Sequence, residues 1–169
     1  MNKLSLFLVL SLLLAGCGIF SKEYTPGYAF EGQDEMIQFL EENDWSFELQ
    51  SLHGPLVPPL FNTYGYGFEI KGDTIKSYLP YFGESYGAPD FGSRESPLTF
   101  KAPLVSYSVT DGTHIGEADI EIVMRKDPHH TIAFQIVAFT NGSATVVMRS
   151  TELESLTYRG IITRPDQKR

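Results

Sequence analysis

The residue best suited to covalent chemistry is Cys17, the only cysteine among the 169 residues of the chain. Ala15 and Gly16 precede it, and such small residues let the chain lie extended in the active site of a processing peptidase. The thiol that follows them is a nucleophile to which a diacylglyceryl group can be attached. Because there is no second cysteine, an internal disulfide is excluded, and the stability of the domain must come from its core.

The residues before Cys17 have the layout of a secretory signal. Lys3 supplies a positive charge, an apolar run extends from Leu4 to Leu14, and residues 14–17 resemble the lipobox of bacterial lipoproteins at every position. The apolar run is about 11 residues long, against the roughly 20 that a membrane-spanning helix needs. We therefore predict an export signal over residues 1–16 and a membrane anchor made by palmitate-type acyl chains on Cys17. A cleaved signal with an incidental cysteine is the alternative.

Charge and length limit the classes of partner and the number of domains. The net charge is −8, and removal of Lys3 with the signal would make it −9, which argues against nucleic acid and against binding anionic lipid head groups by charge. We predict a lipidated tether over residues 17–32, one globular domain over residues 33–163 and a polar tail over residues 164–169.

The second segment that could have a binding role is the aromatic connection between Pro80 and Pro97. Aromatic rings beside glycines form flat surfaces that suit sugars, peptides or apolar ligands, and long loops in compact domains are often functional. The alternative is that the rings close one open end of a sheet as part of the core. The predicted ligand-binding residues are Tyr81, Phe82, Tyr86, Phe91 and Arg94.

Catalytic and metal-binding patterns are weak. His129 and His130 would point to opposite faces of a strand, which opposes chelation by both, and no third ligand stands at metal spacing. The sequence has no Gly-x-Ser-x-Gly or Ser-x-x-Lys motif for a nucleophile. Paired carboxylates such as Glu84 with Asp90 are common in any acidic protein. We therefore predict no catalytic residue, no metal and no cofactor.

The elements that must position these residues are mostly strands. One helix is predicted over residues 34–42, with Asp34 as its N-cap and Asn43 as a left-handed exit. A period of two then recurs in eight or nine short stretches, and it places Tyr66 with Phe68 on one apolar face. This pattern indicates an α+β, mostly antiparallel β domain, in which the helix packs on a strongly bent sheet or incomplete barrel of about eight strands. A second apolar row is predicted in one strand, at Val105, Tyr107 and Val109.

The clearest turn signal is Asn141-Gly142. Asn-Gly suits a two-residue type I′ turn, in which both residues have positive φ. We therefore predict that residues 131–139 pair antiparallel with residues 143–149 through this turn.

Several motifs of the aromatic connection and its neighbours resemble the family called domain of unknown function 4251, over roughly Glu35 to Ile162. They are Leu79-Pro80-Tyr81-Phe82-Gly83, Tyr86, Ala88-Pro89, Leu98-Thr99-Phe100-Lys101 and Thr140-Asn141-Gly142-Ser143-Ala144. The resemblance implies a small exported lipoprotein of Bacteroides-type bacteria with an antiparallel α+β domain, and it implies no activity. The Pro55, Pro58 and Pro59 segment departs from the family pattern, at the connection between the first two strands.

Three classes of function follow from these expectations. The first is a non-catalytic binding module for a small or apolar ligand. We expect it on the periplasmic face of the outer membrane, because no run of acidic residues follows Cys17. The second is a protein-interaction or inhibitor-like module of the cell envelope. The third is a hydrolase whose site is assembled only by folding.

Overall fold

The computed structural model describes residues 28–53, 63–85, 96–126 and 130–164. Over these residues the chain forms one helix and eight strands. They are α1 (Gln33–Glu41), β1 (Asp44–His53), β2 (Gly67–Lys71), β3 (Thr74–Tyr78), β4 (Thr99–Asp111), β5 (Glu117–Arg125), β6 (Thr131–Phe139), β7 (Ser143–Ser150) and β8 (Leu156–Thr163). The described residues contain no helix long and apolar enough to cross a membrane.

The strands form a closed antiparallel barrel in sequence order. Each strand pairs with the next, and β8 returns to pair with β1. Closure is possible because β1 pairs with β2 along Asp44–Glu48 and with β8 along Ser46–His53. The predicted α+β domain, mostly antiparallel with one N-terminal helix packed on it, is therefore confirmed, and the barrel is closed rather than incomplete.

The interior of the barrel is filled by the inward positions of the strands. Alternation along β5 buries Ala118, Ile120, Ile122 and Met124, and the same period of two recurs in β6 and β7. Rings meet where strands cross the interior, with 5.2 Å between the ring centres of Phe68 and Phe134. The largest fully buried side chains are Trp45, Tyr158, Phe47, Phe134 and Met36.

Strand β4 belongs to two different ladders. Its first part, Thr99–Pro103, pairs with β3, and its second part, Leu104–Asp111, pairs with β5. A bulge lies between Leu104 and Ser106, so Val105 is turned outward and is 57% exposed. The prediction that Val105 shares one apolar face with Tyr107 and Val109 is therefore wrong, because one extra residue shifts the alternation.

Helix α1 starts differently from the prediction. The N-cap is Gly32, which has no side chain to donate or accept, and Asp34 lies inside the first turn. Carboxylates there are favourable because they face the positive end of the helix dipole. Glu35 also accepts a 2.6 Å hydrogen bond from the amide of Glu31. At the other end, Asn43 has φ of 53°, which confirms the left-handed exit.

The helix covers one end of the barrel, here called the helix end. Trp45 Nε1 donates to Tyr107 Oη at 3.0 Å, and Tyr107 Oη donates to the carbonyl oxygen of Leu40 at 2.7 Å. This chain of two bonds gives a second donor to the Leu40 carbonyl in the last turn of α1, which also accepts from the amide of Asn43 at 3.3 Å. Burial raises the pKa of Tyr107 to about 12. The hydrogen bond from Trp45 lowers this pKa, and the charge of Glu41 adds to the increase. Tyr107 therefore stays a neutral donor at physiological pH.

The β6–β7 pairing is confirmed, but its turn differs from the predicted type. Gly142 has φ of 79°, whereas Asn141 is not among the residues with positive φ. The amide of Gly142 donates to the carbonyl of Phe139 at 2.8 Å, so the loop has three residues, 140–142, with glycine at the left-handed position. Asn141 Oδ1 accepts from the amide of Ser143 at 2.9 Å, which holds the loop in this form.

Candidate functional site

The chain that follows β3 crosses the opposite end of the barrel, here called the cleft end. Leu79 and Leu98 are fully buried there and Pro80 is buried beside them. Ser96 Oγ donates to the carbonyl of Leu79 at 2.6 Å, and Tyr158 Oη donates to the carbonyl of Pro80 at 2.9 Å. The two ends of the aromatic connection thus close the barrel.

Tyr158 is the interior anchor of this closure. Its side chain is fully buried, and burial raises its pKa far above the ordinary value, with a smaller contribution from Tyr81. The hydroxyl is therefore neutral, and it donates its hydrogen bond to the carbonyl of Pro80. Buried tyrosine hydroxyls are normally paired in this way.

Tyr81 holds the outer part of the connection against the loop before β8. Its hydroxyl donates to the carbonyl of Glu84 at 2.5 Å and also lies 3.3 Å from the carbonyl of Glu154. The amide of Glu84 donates to Glu154 Oε2 at 3.0 Å, and the amide of Glu154 donates back to the carbonyl of Glu84 at 2.9 Å. At Gly83, a Cβ would lie 2.6 Å from Tyr81 Oη, so a side chain at this position would displace the hydroxyl.

A cleft of about 360 Å³ lies where this connection meets the outer wall of the barrel. Two of the predicted residues, Tyr81 and Phe82, line it. Of the predicted residues, Tyr86, Phe91 and Arg94 lie outside the described residues, as does the predicted lipidation site Cys17. The lining residues are Tyr66, Tyr78, Pro80, Tyr81, Phe82, Ser96, Pro97 and Thr99.

The rings of Tyr66 and Tyr78 form a stacked pair in the cleft. Their centres are 5.2 Å apart and their planes are inclined by 17°. Tyr78 is 53% exposed and Phe82 is 37% exposed, so apolar ring surface faces solvent here. Directly across the ladder from Tyr78 stands Gly67, where a Cβ would lie 1.9 Å from the carbonyl oxygen of Phe47. Glycine is therefore required at this position by the close approach of β1.

Sequence reasoning missed this stacked pair. Tyr66 was expected in the interior row with Phe68, but its ring lies at the cleft. Tyr78 alternates with buried Ser77 and therefore stands on the outer face with Lys76. An aromatic residue in phase with the polar positions of a strand was the available signal.

Charged groups surround the cleft asymmetrically. Glu84 and Glu154 lie beside Tyr81, and their hydrogen bonds to backbone amides and carbonyls fix the connection. On the other side, Lys126 Nζ donates to the carbonyl of Pro97 at 3.2 Å. Exposed Lys76 and Lys101 stand on the outer wall below Tyr78 and Thr99.

Two of the described histidines, His114 and His130, pair with carboxylates at separate places. His114 Nδ1 lies 2.9 Å from Glu117 Oε2 in the β4–β5 turn. His130 Nε2 pairs with Glu152, which ties the start of β6 to the loop after β7. His129 lies outside the described residues. Among the residues that the structure describes, no three His, Cys, Asp or Glu side chains form a group that could hold a metal ion.

Comparison with known proteins agrees with the motif resemblance. The family model for a domain of unknown function (DUF4251) matches residues 30–162. The chain belongs to this family. No curated protein and no solved structure matches it. The DUF4251 match covers the barrel strands up to Ile162 and all the residues that line the cleft.

Proposed function

We propose that this DUF4251 protein is an exported lipoprotein that binds a ligand, without catalysis, in the cleft at the rim of its barrel. The observation that carries the proposal is a preformed cleft of about 360 Å³ whose aromatic lining is partly exposed. Binding sites are typically concave and apolar with a few polar groups, and this cleft adds Ser96 and Thr99 to its rings and prolines.

The filled interior directs the ligand to the rim. Barrels that hold a ligand inside leave a cavity there, whereas smaller or filled barrels pack their own side chains. Here Trp45, Phe134 and Tyr158 occupy the interior with no exposed surface, and Tyr158 hydrogen-bonds the chain that closes the cleft end. Among the residues that the structure describes, the ring surface offered to a ligand therefore lies on the outer wall.

The anchor in this proposal is the lipid on Cys17, on the periplasmic face of the outer membrane. Support comes from residues 14–17 and from the apolar run before them. Two or three acyl chains hold a protein firmly, at about 0.8 kcal/mol per buried methylene. In the native host, Cys17→Ala is expected to leave the protein unacylated and in the soluble fraction or unprocessed. Mass spectrometry of the N-terminal peptide and membrane fractionation check this, and an acylated, membrane-bound variant would refute the anchor.

Protein recognition is a second candidate for the same surface. Tyr64, which is 82% exposed and precedes Tyr66, extends the exposed aromatic area beyond the cleft. An exposed aromatic patch with a polar rim is typical of interaction sites. A small ligand would be retained by the cleft residues alone, whereas a protein partner would also depend on Tyr64.

The geometry favours binding over hydrolysis. Tyr107 and Tyr158 have clearly raised pKa values, but both are buried and donate to backbone carbonyls. Active sites often place titratable groups with shifted pKa where the substrate binds. Tyr107 lies at the helix end and Tyr158 inside the barrel, away from the exposed ring faces.

The ligand is tested on protein purified from its native membranes in mild detergent. Native mass spectrometry is expected to find a bound molecule on the wild type and much less on Tyr78→Ala. Ile115→Ala is the matched control, because Ile115 is fully exposed in the β4–β5 turn at the helix end. Equal retention by both variants, or ligand-free wild type, would contradict binding in the cleft.

A further inference from the structure

The outer wall beneath the cleft has an ordered set of aromatic and cationic residues. In the β3–β4 ladder, Tyr78 stands opposite Thr99, and Lys76 stands opposite Lys101. All four are on one face, because Lys76 is two residues from Tyr78 and Lys101 is two residues from Thr99. The two lysines therefore lie about 7 Å along the strands from the exposed ring.

The pairing of the two lysines is unfavourable by itself. Directly opposed residues bring their Cβ atoms to about 5 Å, and like charges at this spacing destabilise a sheet. Glu69 stands on the other side of Lys76 in the β2–β3 ladder and offsets part of its charge. Lys101 has Lys76 as its partner in the β3–β4 ladder. Among the described residues, neither lysine makes an ion pair.

The charge of this wall contrasts with that of the whole chain, whose net charge is −8. Lys126 adds a third cation at the cleft, since its Nζ donates to the carbonyl of Pro97, a lining residue. Cations grouped beside a concave site raise the local concentration of anions. The β3–β4 side of the cleft thus combines an exposed ring with grouped cations, while Glu84 and Glu154 lie on the Tyr81 side.

We propose that the ligand of the cleft is an acidic saccharide, whose ring stacks on Tyr78 and whose carboxylate or sulfate faces Lys101 and Lys76. This inference rests on the proposed binding function and specifies its ligand class. The C–H face of a sugar ring carries a slight positive charge and matches the negative face of an aromatic ring. Lys76 lies two residues from Tyr78 on β3, and Lys101 lies diagonally across from Tyr78 on β4. The acid group of the same rigid sugar therefore reaches both lysines.

A saccharide fits better than an acidic peptide or a purely apolar ligand. An acidic peptide has its charge at the end of a flexible side chain and has no flat face tied rigidly to it. A rigid ligand loses less conformational entropy when it binds ring and cation together. A purely apolar ligand would leave Lys76 and Lys101 without a role in binding, although they flank the ring.

The test uses two probes with the same sugar rings, trigalacturonic acid and its uncharged trimethyl ester, in calorimetric titrations of the whole mature protein. The acid is expected to bind at least about tenfold more tightly than the ester at low ionic strength. The advantage should shrink on going from about 50 mM to about 500 mM salt, because the lysines are exposed and screened. Equal affinities for acid and ester would overturn the assignment of the lysines.

Variants separate this inference from the proposed function. Lys101→Gln should remove most of the acid's advantage and leave the ester unaffected, while Tyr78→Ala should weaken both. Lys71→Gln is the matched control, since Lys71 is an exposed lysine at the far end of β2, opposite Asp44.

Two results would contradict the saccharide while leaving the cleft as a binding site. One is tighter binding of a hexaglutamate peptide than of trigalacturonic acid, with the same loss in Tyr78→Ala. The other is a co-purified ligand in the native protein that is displaced by neither sugar probe. If no probe binds and no ligand co-purifies, the binding function itself fails.

Discussion

The two ends of the barrel are closed by different means. At the helix end, short turns and a helix meet in direct hydrogen bonds, such as the one from Gly72 to the carbonyl of Asn43 at 2.8 Å and the one from Gln33 to Asp111 at 3.0 Å. At the cleft end, the opening is closed by the described ends of the aromatic connection, where Leu79, Pro80 and Leu98 are buried. Among the described residues, the cleft end leaves the rings of Tyr78 and Phe82 exposed to solvent.

Three tyrosines make this difference concrete. Tyr107 at the helix end and Tyr158 inside the barrel each donate to a backbone carbonyl, and burial raises both pKa values. Tyr78 at the cleft end is 53% exposed and stacks on another tyrosine. The buried tyrosines therefore stabilise the fold, and the exposed one is available for binding. The following substitutions test this division, from the largest expected effect on stability to the smallest.

The largest loss is expected for Trp45→Ala, because it empties the interior near the helix end and removes the donor to Tyr107. Replacing a buried tryptophan by alanine costs about 3 to 5 kcal/mol of unfolding free energy, a large share of the total for one domain. Urea unfolding followed by circular dichroism measures it. Trp45→Phe keeps most of the volume and should lose less. A loss below about 1 kcal/mol for the alanine variant would show that the helix end is not the stable end.

Tyr107→Phe is expected to cost about 1 to 3 kcal/mol, because it leaves Trp45 Nε1 without its acceptor and removes one of the two donors to the Leu40 carbonyl. The same hydroxyl predicts an alkaline effect. Its pKa is about 12 in the fold and 10.0 when unfolded, so its contribution is complete below pH 10 and is lost as the pH rises toward 12. Unfolding free energies at several pH values should fall less steeply in Tyr107→Phe than in the wild type. Parallel curves would contradict this role.

Gly142→Val is expected to destabilise the domain by about 1 kcal/mol or more, since a β-branched residue resists a φ of 79°. The amide of Ile162 also donates to the Gly142 carbonyl at 2.8 Å, so a distorted turn would disturb β8. Thermal melting measures the effect, with Asn141→Ala as a comparison that keeps the glycine. An unchanged melting temperature would contradict the three-residue turn.

The smallest effect on stability is expected for Tyr78→Ala, about 0.5 kcal/mol, because the ring is half exposed and loses mainly its stack on Tyr66. Its effect on binding should nevertheless exceed that of Trp45→Phe. Urea unfolding and ligand titration on the same preparations separate the two properties. A loss of several kcal/mol would make Tyr78 a structural residue and remove the contrast between the two ends.

The sequence predicted what depends on local alternation. The mostly antiparallel fold, the N-terminal helix, the exit at Asn43 and the β6–β7 pairing all follow from periods of 3.6 and 2 and from turn residues. At the cleft, Tyr81 and Phe82 were found because aromatics are dense in that connection.

What the sequence did not predict depends on register between distant strands. The bulge at Val105 needs only one extra residue, which a period of two does not reveal. The Tyr66–Tyr78 stack and the Lys76–Lys101 pair each join residues from different strands, and their meeting is fixed by the β2–β3 and β3–β4 ladders. Sites made by cross-strand pairing are therefore harder to find than sites made within one loop.

The shortness of β2 and β3 has a consequence for amide exchange. Each has five residues, whereas β5 and β6 have nine, so fewer ladder bonds hold the β2–β3 hairpin in the barrel. Its amides should open by local unfolding more often than those of β5 and β6. Because this hairpin carries Lys76 and Tyr78, a ligand in the cleft would slow deuterium uptake there first. Uptake by the amides of β2 and β3 would therefore measure occupancy of the site.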